Sequence, residues 1–174
     1  SLLLANYLLL IKRGINNMAI RGHQIVDPYS WDLSCTANGS GEMGGVVCVA
    51  TGSYTTGMDV STKTVSYVSN PSGRKPMGVL MQTVKDYDTS EVPTNFQNYN
   101  IVPINSKVAL ARKFRGRVNN LHAATTGVIT PGATMYVGPD GKYTTLSTSG
   151  YPAVGRFESA VDTDGFCEIA VNID

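Results

Sequence analysis

From Arg21 onward the apolar positions come in short runs rich in Val, Ile, Thr and Tyr, cut at close intervals by Gly, Pro, Asn, Asp and Ser. That rhythm signals strands, because alternate side chains of a strand face opposite ways and the interrupting residues supply turns. The clearest runs are Gly45–Thr51, Thr64–Ser69, Met77–Val84, Tyr99–Ile104, Lys107–Arg112, Ala133–Val137, Tyr143–Ser147, Ala153–Glu158 and Phe166–Ile173. In the last of these, Cys167, Ile169, Val171 and Ile173 alternate with Phe166, Glu168, Ala170 and Asn172, and the uniformly apolar set is predicted to face a core. Asn70-Pro71-Ser72-Gly73, Gly138-Pro139-Asp140-Gly141 and Asp162-Thr163-Asp164-Gly165 read as turns. In each, a residue that presets φ or hydrogen-bonds its own backbone is followed by a Gly free to take positive φ. Asp86 to Asn98 and Arg117 to Thr126 read as longer polar loops. The spacing predicts an all-β protein, a small antiparallel β-barrel or sandwich with an N-terminal extension.

A faint internal likeness runs through this pattern. Lys63 to Tyr67, then Ser-Gly, then Pro76 and Gly78, resembles Lys142 to Leu146, then Ser-Gly, then Pro152 and Gly155. It reads either as a duplication or as what any hairpin followed by a Pro-led strand looks like.

The first seventeen residues, SLLLANYLLLIKRGINN, differ from the rest. Their apolar run ends at Ile11, short of the roughly 20 residues a membrane-spanning helix needs. A signal peptide is disfavoured by the missing basic n-region, by Lys12-Arg13 following the run and by the lack of a small-residue cleavage site. Two readings stay open: an arm whose leucines need a partner surface, or untranslated leader ahead of a start at Met18-Ala19. The expected organisation is an arm or leader over 1–22 and a β-domain over 23–174, with 23–105 and 106–174 as its two candidate subdomains.

Charge narrows the function classes. Among 174 residues, Lys+Arg count 14 and Asp+Glu 13, and charged residues make up 16%, against roughly 25% in typical domains. Disorder needs high net charge and few apolar residues, and a nucleic-acid binder needs a basic excess; the chain has neither. The length is enough to bury a core without staples. Cys35, Cys48 and Cys167 are odd in number and far apart, so they indicate neither a disulfide framework nor a zinc ribbon.

Candidate chemistry is sparse. His23 and His122 lack Cys or carboxylate neighbours at ligand spacing, and no HExxH, GxSxG or phosphate-loop pattern occurs. Asp162-x-Asp164-Gly165 opens like a calcium loop but lacks its later ligands, so it reads as a hairpin turn. Asn38 to Glu42 reads as a flexible turn rather than a phosphate cradle. Asp27 and Asp32, flanking Tyr29 and Trp31, are the one carboxylate pair that sugar hydrolysis would want. The clearest charge feature is the basic set Lys107, Arg112, Lys113, Arg115 and Arg117, inside a stretch from Val92 to Pro139 without Asp or Glu. It reads either as a solvated strand end or as a surface for an acidic protein partner; with Phe114 its one aromatic, it is not a base-stacking platform.

The order of Gly127 to Ile173 carries a resemblance. Pro-Gly-Ala precedes a strand, then come Asp-Gly, Lys, a Thr-Thr strand, a Gly-led strand, Asp-x-Asp-Gly and an alternating strand. This resembles the capsid cement (head decoration) proteins of tailed bacteriophages. The resemblance implies a non-enzymatic protein, without cofactor or metal, that binds the exterior of the expanded phage head. Its partners would be the major capsid protein and its own copies, usually as a homotrimer or a dimer, and neither nucleic acid nor membrane.

The candidate contact residues are Leu3, Leu4, Tyr7 and Leu9 of the arm, Tyr29 and Trp31, and the basic residues Arg112, Lys113, Arg115 and Arg117. Arg21 to Ser34 reads as a second extended arm, or as a strand-and-turn lead-in with Trp31 in the core. The runner-up function is a β-rich tail or fibre component or a carbohydrate-binding module, with Trp31 or Tyr99 at its contact. A hydrolase is the third class, and it lacks a nucleophile–base pair.

Overall fold

The computed structural model describes residues 20–24, 31–50, 63–86, 101–123, 129–147 and 150–174. Their elements are strands: β1 (Ile20–Gln24), β2 (Trp31–Ala37), β3 (Val46–Val49), β4 (Lys63–Ser66), β5 (Pro76–Leu80), β6 (Thr83–Lys85), β7 (Ile101–Pro103), β8 (Lys107–Ala111), β9 (Lys113–Val118), β10 (Thr134–Val137), β11 (Tyr143–Thr144), β12 (Ala153–Phe157) and β13 (Cys167–Asn172). A 3-10 turn at Pro139–Gly141 joins β10 to β11. The all-β expectation is met.

A closed barrel runs in the order β2-β4-β3-β5-β8. Its pairs are antiparallel except β2 with β4, which run parallel. The sequence reading expected antiparallel pairing throughout. A ring with an odd number of strands cannot alternate direction all the way round, so closure itself forces a parallel pair. The six-stranded sheet has the order β1-β9-β13-β12-β10-β11, and β6 and β7 form a separate parallel ribbon.

The six-stranded sheet repeats the barrel. β10 lies between β11 and β12 as β3 lies between β4 and β5; β12 pairs with β13 as β5 does with β8, and β13 with β9 as β8 does with β2. The repeat extends to register. Cys48 faces Pro76 and Val47 faces Gly78, leaving Met77 as a bulge; Tyr136 faces Ala153 and Met135 faces Gly155, leaving Val154. Backbone hydrogen bonds recur in kind: Gly44 N to Leu80 O at 2.8 Å matches Gly132 N to Phe157 O at 2.7 Å, and Leu80 N to Gly45 O matches Phe157 N to Ala133 O, both 2.9 Å. The closing pair recurs only as an isolated bridge, so the second barrel is a half-barrel. Leu121 bridges Tyr143 in parallel, and His122 N donates to Tyr143 O at 2.9 Å, where the first barrel has Asn38 N to Val65 O at 2.8 Å.

This repeat corrects the correspondence read from sequence by one residue. Gly78 and Gly155 do answer to each other, but Val65 answers to Tyr143 and not to Tyr143's successor. Both glycines are required by close approach. A Cβ on Gly78 would meet the carbonyl oxygen of Ala111 at 3.1 Å, and one on Gly155 would strike that of Ala170, the corresponding residue.

The interiors match position by position but not in size. Cys35, Ala37, Val47, Val65, Leu80, Val108 and Leu110 line the first barrel. Their counterparts in the second are Val118, Leu121, Met135, Tyr143, Phe157, Cys167 and Ile169. The smaller set is supplemented by Val102 and Ile104 packing against it, from the β7 region that the second barrel lacks.

The barrels share one core. Val46, Cys48, Val79 and Ala111, on the outside of the first barrel, cluster with Val137, Val154, Val171 and Ile173 of the second. Tyr143 Oη donates to Gly44 O at 2.8 Å, Asp140 N to Val68 O at 2.9 Å and Gly73 N to Gly150 O at 3.2 Å. Burying Val46 and Val79 contributes about 1.5–3 kcal/mol each, the usual value for an aliphatic side chain taken from water.

Candidate functional site

Strand alternation sorts the basic stretch. Along β9, Lys113 and Arg115 are exposed and Arg117 half-buried, while Phe114, Gly116 and Val118 point to the core. Arg112 lies between β8 and β9, half-buried where the chain leaves the first barrel, and its carbonyl accepts Ile173 N–H at 3.0 Å.

The acids missing from the stretch in sequence arrive from across the sheet. Arg115 Nε pairs with Glu158 Oε2, and Arg156 Nη2 lies 3.3 Å from Glu158 Oε1. Arg117 pairs with Asp162 and stacks over Phe166, its Cζ 5.6 Å from the ring centroid. Asp162 is held for this contact, because its Oδ1 accepts the N–H groups of Asp164 and Phe166, both at 2.9 Å. Exposed pairs of this kind contribute roughly 0–1 kcal/mol each. They therefore shape the surface more than they stabilise it. What results is a mixed ion-pair platform with exposed Lys113 beside it. Sequence reasoning missed Arg156, Glu158 and Asp162, and the only available signal was the period-two alternation of β9.

Leu3, Leu4, Tyr7, Leu9 and Tyr29 lie outside the described residues. Trp31 opens β2, its backbone in register with Ala111, so at that point the chain belongs to the barrel wall. Arg21 likewise lies in β1, opposite Arg117 of β9.

A polar cleft of about 480 Å³ opens where the barrels meet, lined by Glu42, Tyr67, Asn119, Asn120, Leu121, Asp140 and Lys142. Tyr67 forms its apolar wall and donates from Oη to Glu42 O. Burial pushes the Tyr67 hydroxyl well above its ordinary value.

Reactive groups do not converge among the described residues. No cluster of three or more His, Cys, Asp or Glu forms. Cys35, Cys48 and Cys167 are buried as thiols. Burial raises the Cys48 thiol to about 11, against a smaller lowering by Arg74, so it stays protonated near neutrality. Cys167 is raised by burial too, and its Sγ donates to Ser159 O at 3.0 Å. His122 Nδ1 is buried without a hydrogen-bond partner. No helix among the described residues is long and apolar enough to cross a membrane.

Fold and surface together define an all-β protein in which a closed five-stranded barrel packs against a six-stranded half-barrel sheet bearing an ion-pair platform. The chain matches no family model and no curated protein.

Proposed function

We propose that this chain is a non-enzymatic capsid cement protein, docking on the exterior of an expanded phage head and clamping neighbouring capsid subunits. The observation that supports it most is the repeat: the strand order and register of the closed five-stranded barrel recur in a second, half-barrel sheet of the same chain. The turn-and-strand order that resembles decoration proteins, Gly127 to Ile173, supplies β10 to β13 of the second copy. A lattice offers the same surface many times. Linked modules convert each further contact into an intramolecular one, so weak docking by paired barrels accumulates into firm attachment. A pre-paired surface of arginines and carboxylates suits such contacts, since polar interfaces give specificity more than affinity.

The test is co-sedimentation. Purified chain, added to heads stripped of it, is expected to pellet with expanded heads, to leave compact proheads largely unbound, and to raise the temperature at which expanded heads burst. Failure to pellet with either form rejects the reading. Saturable glycan binding without head binding would favour the carbohydrate-recognising alternative.

A further inference from the structure

The cleft between the barrels gathers charge that the fold does not use. On the six-stranded sheet, Glu158 and Asp162 are paired with arginines. In the cleft, Glu42, Asp140 and Lys142 are exposed, and their side chains form no hydrogen bond or ion pair among the described residues. With the carboxamides of Asn119 and Asn120 they line one concavity of about 480 Å³, inside the range of roughly 300–1,000 Å³ typical of small-molecule clefts.

The walls of this cleft are fixed in advance. The ring of Tyr67 is flanked by Gly41 and Gly141, and a Cβ on either would overlap it. Its Oη donates to Glu42 O, which ties the wall to the segment carrying Glu42. Leu121 N donates to Asn119 O and Tyr143 N to Asn120 O, both at 2.8 Å, so the two asparagines sit on a bonded turn. Asp140 stands in the left-handed region, with φ 55°, and its N–H donates to Val68 O at 2.9 Å. Gly138 N donates to Lys142 O at 2.7 Å. A ligand therefore meets groups already in place and spends little on ordering them.

The lining selects among ligands by its chemistry. The carboxylates of Glu42 and Asp140 repel a phosphate or another acid. Lys142 repels a metal ion, for which the described residues form no cluster of three acidic, His or Cys ligands. A lipid chain would desolvate all three charges without return. A sugar ring suits every group: its hydroxyls donate to carboxylates and accept from ammonium and carboxamide, and its C–H face packs against an aromatic wall.

We propose that this cleft is a binding site for a pyranose sugar. Glu42 and Asp140 accept from its hydroxyls, Lys142 and the two asparagines donate to them, and Tyr67 with Leu121 covers the apolar face. The site uses none of the ion-pair platform and does not depend on capsid docking.

Amide NMR of the full chain, titrated with the methyl pyranosides of glucose, galactose, mannose and N-acetylglucosamine, tests this. The expected result, for at least one of them, is saturable shifts centred on Asn119, Asn120, Leu121, Asp140 and Lys142. The dissociation constant should be on the order of 1 mM, as suits so small a ligand. Glu42→Gln and Asp140→Asn each weaken binding by about 3–10-fold, because charge-assisted hydrogen bonds are roughly twice as strong as neutral ones. Asn tolerates positive φ as Asp does, so the melting temperature of both variants stays unchanged. Lys113→Ala, exposed on β9 outside the cleft, leaves binding as it was. Calcium ions and inorganic phosphate, titrated in the same way, leave the cleft resonances in place. The proposal is overturned if no sugar of the set moves these resonances, if calcium or phosphate moves them instead, or if both cleft variants bind like the parent. Co-sedimentation reads docking separately: a chain that pellets with heads but binds no sugar overturns the sugar site alone.

Discussion

The ring of Tyr67 lies directly against the backbone of Gly141, so the first barrel reads the turn that joins β10 to β11 of the second. Gly141 has φ +72°, and a Cβ there would overlap Tyr67 Cδ1 and Cε1 and crowd Val46 O. Both backbone and space call for glycine; of the residues it would disturb, Val46 belongs to the shared core and Tyr67 packs against the interior of the first barrel. Gly141→Ala is expected to destabilise the fold by about 2–4 kcal/mol, the range for strain combined with overpacking. Melting should fall by about 4–16 °C at 2–4 °C per kcal/mol for this chain length. A loss under 1 °C in calorimetry would mean that Tyr67 swings clear at little cost.

The repeated glycines of the bulges should respond unequally. A Cβ on Gly78 would meet Leu110 Cβ at 2.9 Å and Ala111 O at 3.1 Å, so the neighbouring strand must give by a few tenths of an ångström. At Gly155 the φ is +156° and the Cβ would strike the Ala170 carbonyl outright. Gly155→Ala is therefore expected to cost more than Gly78→Ala, by about 1–3 kcal/mol. Urea unfolding of the two variants side by side measures the difference, and equal losses would contradict the asymmetry.

How far the sequence could be read follows from which features are local. The alternation in β13 is local, and Cys167, Ile169, Val171 and Ile173 are all buried as expected. The turn residues are local too. Parallel closure between β2 and β4 is a property of the whole ring, and no residue in either strand announces it. The repeat was barely legible because its conserved geometry is carried by backbone bonds and by Gly78 and Gly155. The matching interior residues diverge, with Val65 against Tyr143 and Ala37 against Leu121. The acid-free basic stretch takes on a different surrounding in the fold for a related reason. Charge counted along the chain ignores Glu158 and Asp162, which strand pairing carries to Arg115 and Arg117.

The Arg117–Asp162 pair should prove unequal when its members are removed singly. Arg117→Ala loses a half-exposed ion pair and a cation–π contact, for about 0.5–1.5 kcal/mol. Asp162→Ala loses the same pair and also strands the N–H groups of Asp164 and Phe166 that its Oδ1 accepts. Charge-assisted bonds to backbone are worth more than the pair, and Asp162→Ala is expected to cost about 2–3 kcal/mol. Asp162→Asn, which keeps the Oδ1 acceptor, should recover most of the difference. If Asn and Ala at this position melt alike, the turn does not depend on that oxygen.

Alkaline pH should unfold the protein through its buried tyrosines. Tyr143 is raised well above the ordinary value of 10.0 by burial and then by Tyr67, and Tyr67 is raised by burial first. In the folded state both hydroxyls keep their protons where the unfolded chain loses them. Above pH 10 the native state thus binds more protons, and stability falls as pH rises. Below the unfolded value the contribution is fully present; above it, each tyrosine removes about 1.4 kcal/mol per pH unit until its folded value is reached. Urea midpoints measured from pH 8 to 11.5 should be flat at first and then decline. Tyr67→Phe and Tyr143→Phe should each lower stability at pH 8, Tyr143→Phe by about 1–2 kcal/mol for the lost bond to Gly44, while making the alkaline decline shallower. Tyrosinate absorbance at 295 nm supplies the independent check. Of the 9 tyrosines, Tyr67 and Tyr143 are expected to ionise only together with unfolding. Ionisation of either in the native protein, or an unchanged alkaline slope in both variants, would show that the interbarrel tyrosines do not set the alkaline limit.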